Sequence, residues 1–115
     1  MEGKNKKIIF IALIVAIIAL ILLINYLKSN GELNEQTMQC IANKAELYVS
    51  KTCGHCVGQK QILGEYIDYF TITDCLIEKE KCTNAGIARV PTWIINNEKY
   101  PGKLSIKQLI NLTKC

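Results

Sequence analysis

The sequence predicts an α/β domain with elements in the order β-α-β-α-β-β-α, led by one extra helix and standing behind a single apolar N-terminal helix. Three observations carry this. Residues 8–24 are uninterruptedly apolar, and the stretch runs on through Asn25, Tyr26 and Leu27. Beyond it, short β-branched or aromatic runs alternate with stretches of helical periodicity. Finally, Cys53-Gly54-His55-Cys56 falls in an expected strand-to-helix turn, and Val90-Pro91-Thr92-Trp93 follows, with Pro91 35 residues beyond Cys56.

Residues 8–27 as a helix would reach about 30 Å at 1.5 Å per residue, which matches a hydrocarbon core of roughly 30 Å. Lys4, Lys6 and Lys7 precede this run and only Lys28 follows closely. The positive-inside rule therefore keeps the tail, residues 1–7, in the cytoplasm and puts everything after Lys28 on the outer face of the cell membrane. A cleaved signal peptide would have an apolar region of about 7–15 residues ending at a small-x-small site. Here the run is longer and Leu27-Lys28-Ser29 is a poor cleavage site, so residues 8–27 are expected to be an uncleaved, single-pass signal anchor in contact with the lipid bilayer. Residues 28–32, around Asn30-Gly31, read as a linker, and 33–115 as one small domain.

Within that domain, Leu33–Ala45 reads as a helix with Met38, Ile41 and Ala42 on one face. Glu46–Ser50 is the first expected strand. Cys56–Glu65 reads as a helix with Ile62 and Leu63 turned inward, and Ile67–Thr73 as the second strand. Glu78–Ala85 is a short helix closed by Gly86. Thr92–Asn96 and Glu98–Tyr100 flank the tight-turn signal Asn96-Asn97 and form a hairpin. Ser105 caps a last helix, Ile106–Leu112, with Ile106, Leu109 and Ile110 at helical spacing. The first two strands, joined through a helix, should be parallel and the last two antiparallel.

The net charge is +4, of which +2 belongs to Glu2, Lys4, Lys6 and Lys7. The remaining charges are well mixed, without the basic stripe that nucleic-acid binding needs, so no nucleic-acid partner is expected. All six cysteines, Cys40, Cys53, Cys56, Cys75, Cys82 and Cys115, follow the apolar run. Such dense usage fits an oxidising, extracytoplasmic setting, independently of the lysine asymmetry.

Two cysteines separated by two residues at a helix start can interconvert between dithiol and disulfide. Cys53, at the helix N-terminus, meets unpaired N–H groups and the positive end of the helix dipole, so it is expected to be the attacking thiolate. Cys56, one turn in, is the shielded resolving thiol. His55 can stabilise the Cys53 thiolate when protonated, which makes the disulfide more oxidising. Gly54 keeps the turn compact. Pro91 is expected in a cis peptide after Val90, since proline lowers the cost of the cis form to about 0.5–1 kcal/mol, and its missing N–H leaves the Val90 backbone free for a substrate strand. An ordinary trans loop proline is the alternative.

Other readings of the cysteines remain open at this level. Cys53 and Cys56 with Cys75 and Cys82 supply four thiols for zinc, but structural zinc sites close with a second short spacing, and six intervening residues fit poorly. No metal and no bound cofactor are expected. Cys53–Cys56 as a purely structural bridge is a further alternative. Cys75 and Cys82 form either a structural disulfide, the preferred reading, or a second redox pair. Cys40 and Cys115 either staple the two ends of the domain or leave Cys115 free. Trp93 reads as core or groove wall. Asn111-Leu112-Thr113 matches a glycosylation sequon, a triplet common by chance.

At these residues the chain resembles the thioredoxin superfamily, with the Cys-Gly-His-Cys tetrapeptide of protein disulfide isomerases. It is most similar to the thioredoxin-like domain fused to, or paired with, bacterial and archaeal vitamin K epoxide reductase homologues. That family's CxHC is followed by Gln-Lys, here Gln59-Lys60, and a glycine, here Gly64. A second cysteine pair corresponds to Cys75 and Cys82, and Gly-Ile with Pro-Thr-Trp to Gly86-Ile87 and Pro91-Thr92-Trp93. Tyr100, Gly102 and Ser105 complete a likeness over residues 33–112. Two departures stand out: Thr52 replaces the usual Trp before the first cysteine, and Leu47 occupies the position of the buried acid in thioredoxin, with Glu46 one place off. The resemblance implies a thioredoxin-like fold and a thiol–disulfide oxidoreductase that oxidises extracytoplasmic protein thiols. A separate membrane vitamin K epoxide reductase homologue would then reoxidise it and pass electrons to a quinone. A reductase or isomerase of the same fold, and a non-enzymatic anchored module with structural or zinc-bound cysteines, are the alternatives.

Overall fold

The structure, a computed structural model, describes residues 2–29 and 34–115, with the side chains of Lys28 and Ser29 left aside. The chain divides into two compact units, Met1–Glu32 and Leu33–Cys115.

The first unit is one helix, α1, Glu2–Ser29. Its mean hydropathy of 3.3 over the most apolar window, with none of that window buried, makes it long and apolar enough to cross a membrane. An apolar surface all round suits lipid rather than water. The helix begins before the expected span and runs beyond it: the lysine-bearing tail is helical, and Lys28 and Ser29, expected as linker, continue α1. The rest of the expected linker, residues 30–32, lies outside the described residues, as do Leu33 and Met1.

The second unit opens with α2, Glu35–Lys44, whose N-cap Asn34 accepts the Thr37 backbone N–H at 2.8 Å through Oδ1. Met38 and Ile41, three apart, are fully buried on its inner face. There follow β1 (Ala45–Val49), α3 (Gly54–Leu63), a 3₁₀ stretch (Gly64–Tyr69) and β2 (Thr71–Asp74). Then come α4 (Lys79–Asn84), β3 (Thr92–Ile95), β4 (Glu98–Pro101) and α5 (Ile106–Thr113). The four strands lie in the order β2-β1-β3-β4. β1 and β2 are parallel, while β1–β3 and β3–β4 are antiparallel. This is a thioredoxin-like fold.

Two connections fix the register. Asn96 and Asn97 at φ 52° and 64° close the β3–β4 hairpin as a two-residue turn, pairing Ile95 with Glu98. Ser105 caps α5 reciprocally: its Oγ accepts the Gln108 N–H at 3.2 Å, and its own N–H reaches Gln108 Oε1 at 2.9 Å. The core collects Leu47, Val49, Leu63, Trp93, Ile95 and Leu109 with the α2 residues. The Phe70 ring meets Trp93 edge-on at 5.7 Å.

The second strand differs most from expectation. Ile67–Tyr69 belong to the 3₁₀ stretch, and the ladder begins only at Thr71. Gly64, at φ 57° and ψ −131°, ends α3 in a backbone region open to glycine, and the Phe70 N–H bonds back to Ile67 O at 3.1 Å. The aromatic and β-branched character of residues 67–73 thus serves core contact by Ile67 and Phe70 before it serves pairing. α3 likewise starts at Gly54 and stops at Leu63, rather than spanning Cys56–Glu65. The other elements shift by one or two residues at their ends.

Candidate active site

β1 delivers the chain to the site. After Val49 the backbone turns, with the Cys53 N–H bonded to Ser50 O at 3.1 Å, and α3 begins at Gly54. Cys53 is therefore the N-cap residue, extended at φ −96° and ψ 114°. Its Sγ accepts the Cys56 N–H at 3.2 Å, where a Ser or Asp oxygen would sit at an ordinary N-cap. Cys56 lies on the inner face of α3 with Gln59 and Leu63 and is 1% exposed, whereas Cys53 is partly open to solvent. Both carry free thiols.

That placement splits the two sulfurs chemically. The Cys53 thiol is lowered from its ordinary value, first by the hydrogen bond from the Cys56 thiol, which burial opposes, and then by the backbone N–H groups of Cys56 and His55. The Cys56 thiol is pushed up to about 11, mainly by burial and then by its bond to Cys53, with the Ser50 backbone and then Lys60 pulling the other way. The outer sulfur thus ionises more readily than an ordinary thiol, and the inner one holds its proton. His55 acts on Cys53 through its backbone N–H, and its side chain lies in the exposed first turn of α3.

The far wall comes from the start of β3. The Val90–Pro91 peptide is cis, Pro91 is buried, and the Val90 carbonyl accepts from Cys53 Sγ at 3.6 Å. Pro91 O is held by the Gly102 N–H at 2.7 Å and Arg89 O by the Thr92 hydroxyl at 2.6 Å. The fold thus brings Cys53, Cys56, His55 and Pro91 to one end of the sheet.

Cys75 and Cys82 are bonded to each other (S–S 2.04 Å), and the Cys75 N–H extends the sheet to Val49 O at 2.8 Å. Cys40 and Cys115 are bonded as well, joining α2 to the end of the chain. Among the described residues no group of three or more His, Cys, Asp or Glu side chains is arranged to hold a metal, and the Cys75–Cys82 bond removes the four-thiol zinc arrangement. Leu47 is fully buried, while Glu46 faces outward and accepts the Tyr48 hydroxyl at 3.1 Å. No carboxylate is among the groups acting on Cys56. A cleft of about 700 Å³ lies at the far end of the sheet, against Ala45, Thr71 and Asn96, and contains none of these sulfurs.

One residue acquires a role that the sequence reading did not assign. Gln59, fully buried, accepts at Oε1 from Trp93 Nε1 (3.0 Å) and the Leu104 N–H (2.7 Å), and donates from Nε2 to Leu104 O (3.0 Å). The available signal was its spacing: three residues after Cys56, it shares the inner face of α3. Trp93, read as core or groove wall, is core.

No family model matches the chain. It is similar to the thiol-disulfide oxidoreductase LTO1 of Arabidopsis thaliana, with 30% identity over 78 residues, covering 60% of this chain and 21% of that protein. The chain therefore spans about a fifth of the length of the curated relative it matches. Among solved structures, the NTD_N/C domain of alkylhydroperoxide reductase AhpF from Enterococcus faecalis overlays with a TM-score of 0.49 and 19% identity, covering 69% of this chain and 43% of that one.

Proposed function

We propose that this chain is a membrane-anchored thiol–disulfide oxidoreductase that acts outside the cytoplasmic membrane and exchanges disulfides with proteins there through Cys53 and Cys56. The observation that carries the reading is the division of labour at α3: a half-open sulfur inclined to the thiolate at the helix N-cap, backed by a buried, protonated one. A merely structural pair has no need of that asymmetry, whereas exchange needs an attackable sulfur and a resolving one.

Starting from the Cys53–Cys56 disulfide, a substrate thiolate attacks Cys53 Sγ. The Cys53–Cys56 bond breaks as the mixed disulfide forms, and the electron pair leaves on Cys56, whose high pKa makes it take up a proton. A second substrate thiolate then attacks the substrate sulfur of the mixed disulfide and expels Cys53 as a thiolate, a better leaving group than an ordinary thiol because its pKa is lowered. The substrate dithiol has lost two electrons and two protons. The pair has gained two electrons and one proton, and the other proton goes to solvent. The lowering of the Cys53 pKa stabilises the reduced pair and so favours the oxidising direction. The Val90 backbone beside Cys53 offers an extended substrate a strand to lie along.

Regeneration requires a two-electron acceptor. In this reading it is a membrane quinone reductase of the vitamin K epoxide reductase type, as the resemblance in the CGHC, Gln59-Lys60 and Pro91-Thr92-Trp93 segments implies. The lysines before the apolar run and the cysteines after it support the outward orientation.

A Cys56→Ser chain expressed in cells tests chemistry, address and partner together. It should accumulate mixed disulfides through Cys53 with extracytoplasmic proteins and with a multi-span membrane protein. Capture of cytoplasmic proteins alone would overturn the orientation, and capture of nothing would overturn the exchange chemistry. The reduction potential of the pair should fall at about −120 to −180 mV, and a value near about −270 mV would reverse the direction.

A further inference from the structure

α3 carries both thiols, and its inner face would be expected to be apolar throughout. Instead, Gln59 sits between Cys56 and Leu63 with no exposed surface. A buried amide is costly unless its polar atoms are bonded. Here the oxygen accepts two hydrogen bonds and the nitrogen donates one, so the amide is a three-point tie.

The partners lie on the opposite wall of the site. Trp93 is two residues beyond Pro91 in β3. Leu104 ends the Gly102–Leu104 strap between β4 and α5, and the Gly102 N–H in that strap holds Pro91 O. The strap also rests on α3 directly: a Cβ at Gly58 would stand 3.3 Å from Lys103 Cδ. The Val90–Pro91 ridge is thus connected to the cysteine-bearing helix by two routes, one through Trp93 and one through the strap. Both converge on the Gln59 side chain.

The groups that tune the Cys53 sulfur lie elsewhere. They are the Cys56 thiol and the N–H groups of Cys56 and His55, all in the first turn of α3. What lowers the Cys53 thiol is therefore local to one helix end. The Cys53-to-Val90 separation, 3.6 Å from Sγ to the carbonyl oxygen, spans two elements and depends on what ties them.

We propose that Gln59 is a positioning residue that sets the gap between Cys53 and the Val90–Pro91 ridge, and so makes the site favour sulfurs carried in extended polypeptide over those of small molecules. This rests on the exchange chemistry proposed above. A peptide lying along the ridge has its sulfur position dictated by the ridge and must arrive in line with Cys53. A small disulfide approaches from solvent and needs only the thiolate.

The test uses this chain with its apolar helix, reduced and in detergent, reacting with a peptide disulfide and with the small aromatic disulfide dithiobis-nitrobenzoate. Gln59→Leu and Gln59→Met should slow the peptide reaction by about 10- to 100-fold, the scale of an ångström-sized misplacement, and leave the aromatic reaction within about twofold. Leu109→Ala, a cavity in fully buried α5 packing, serves as the stability control and should affect both reactions alike. Trp93→Phe deletes one of the three ties and should give a smaller loss with the same split. It decides the matter if the Gln59 variants do not fold. Parallel loss with both disulfides, or loss with neither, would overturn the inference. An unaltered chain that reacts with neither disulfide would overturn the exchange reading itself.

Discussion

At Cys53 and Cys56 two identical side chains, three residues apart, are shifted in opposite directions by where they sit and by each other. Cys53 occupies the N-cap, where donors converge, and Cys56 the buried turn behind it. Because the Cys56 thiol is the largest influence lowering Cys53, removing it should be felt in the outer sulfur. In Cys56→Ala the pH midpoint of Cys53 alkylation should rise relative to the unaltered protein. In Cys56→Ser, which keeps a hydroxyl donor, the rise should be smaller. The sign follows from the charged form: a donor favours the thiolate, so losing it requires a higher pH to ionise the same fraction. Following alkylation against pH by mass spectrometry checks this, and an unmoved midpoint in Cys56→Ala would show that the backbone N–H groups suffice. The CxxC spacing made this pair legible in the sequence, because helix-end chemistry is local. Gln59 received no role because its partners, Trp93 and Leu104, are 34 and 45 residues away, and no short-range pattern records them.

The elements show the same division between local and distant causes. The hairpin turn at Asn96-Asn97 and the Ser105 cap could be read directly, since each is a few residues whose chemistry dictates their backbone. The second strand could not, because residues 67–73 have strand composition but lie downstream of a glycine that redirects the chain. Gly64 adopts φ 57° and ψ −131°, and an added Cβ would meet nothing within 4 Å. Any penalty for a side chain there is therefore backbone strain rather than crowding. Gly64→Ala should destabilise the domain by about 1–3 kcal/mol, a fall in melting temperature of roughly 4–8 °C per kcal/mol for a domain of this size. A thermal melt followed by circular dichroism measures it. An unchanged melting temperature would mean that α3 ends for another reason and that the 3₁₀ stretch does not depend on this glycine.

For the whole molecule, the long apolar run and the crowding of cysteines behind it were plain in composition, but which cysteines bond to which was not. Cys75 and Cys82 are bonded to each other, as the structural and the redox reading of that pair both allow. Cys40–Cys115, left open between a staple and a free thiol, is a bond across 75 residues, and only the packing of α2 beside α5 brings its ends together. The two bridges should contribute unequally. Chain-entropy estimates give about 4.5 kcal/mol for closing a 75-residue loop and about 2.4 kcal/mol for the 7-residue loop of Cys75–Cys82. The long bridge also holds the last helix, whose Leu109 and Ile106 belong to the core under Trp93, whereas the short one pins only α4 to the end of β2. Replacing Cys40 and Cys115 together by Ser should therefore lower the urea midpoint more than replacing Cys75 and Cys82. It should do so with Cys53 alkylation unchanged in the folded protein, because neither bridge touches the groups that act on that sulfur. Equal midpoints for the two double variants would mean that local pinning of β2 and α4 matters as much as closure of the chain. A changed Cys53 alkylation rate in the Cys75/Cys82 variant would point instead to coupling between that bridge and the CxxC pair.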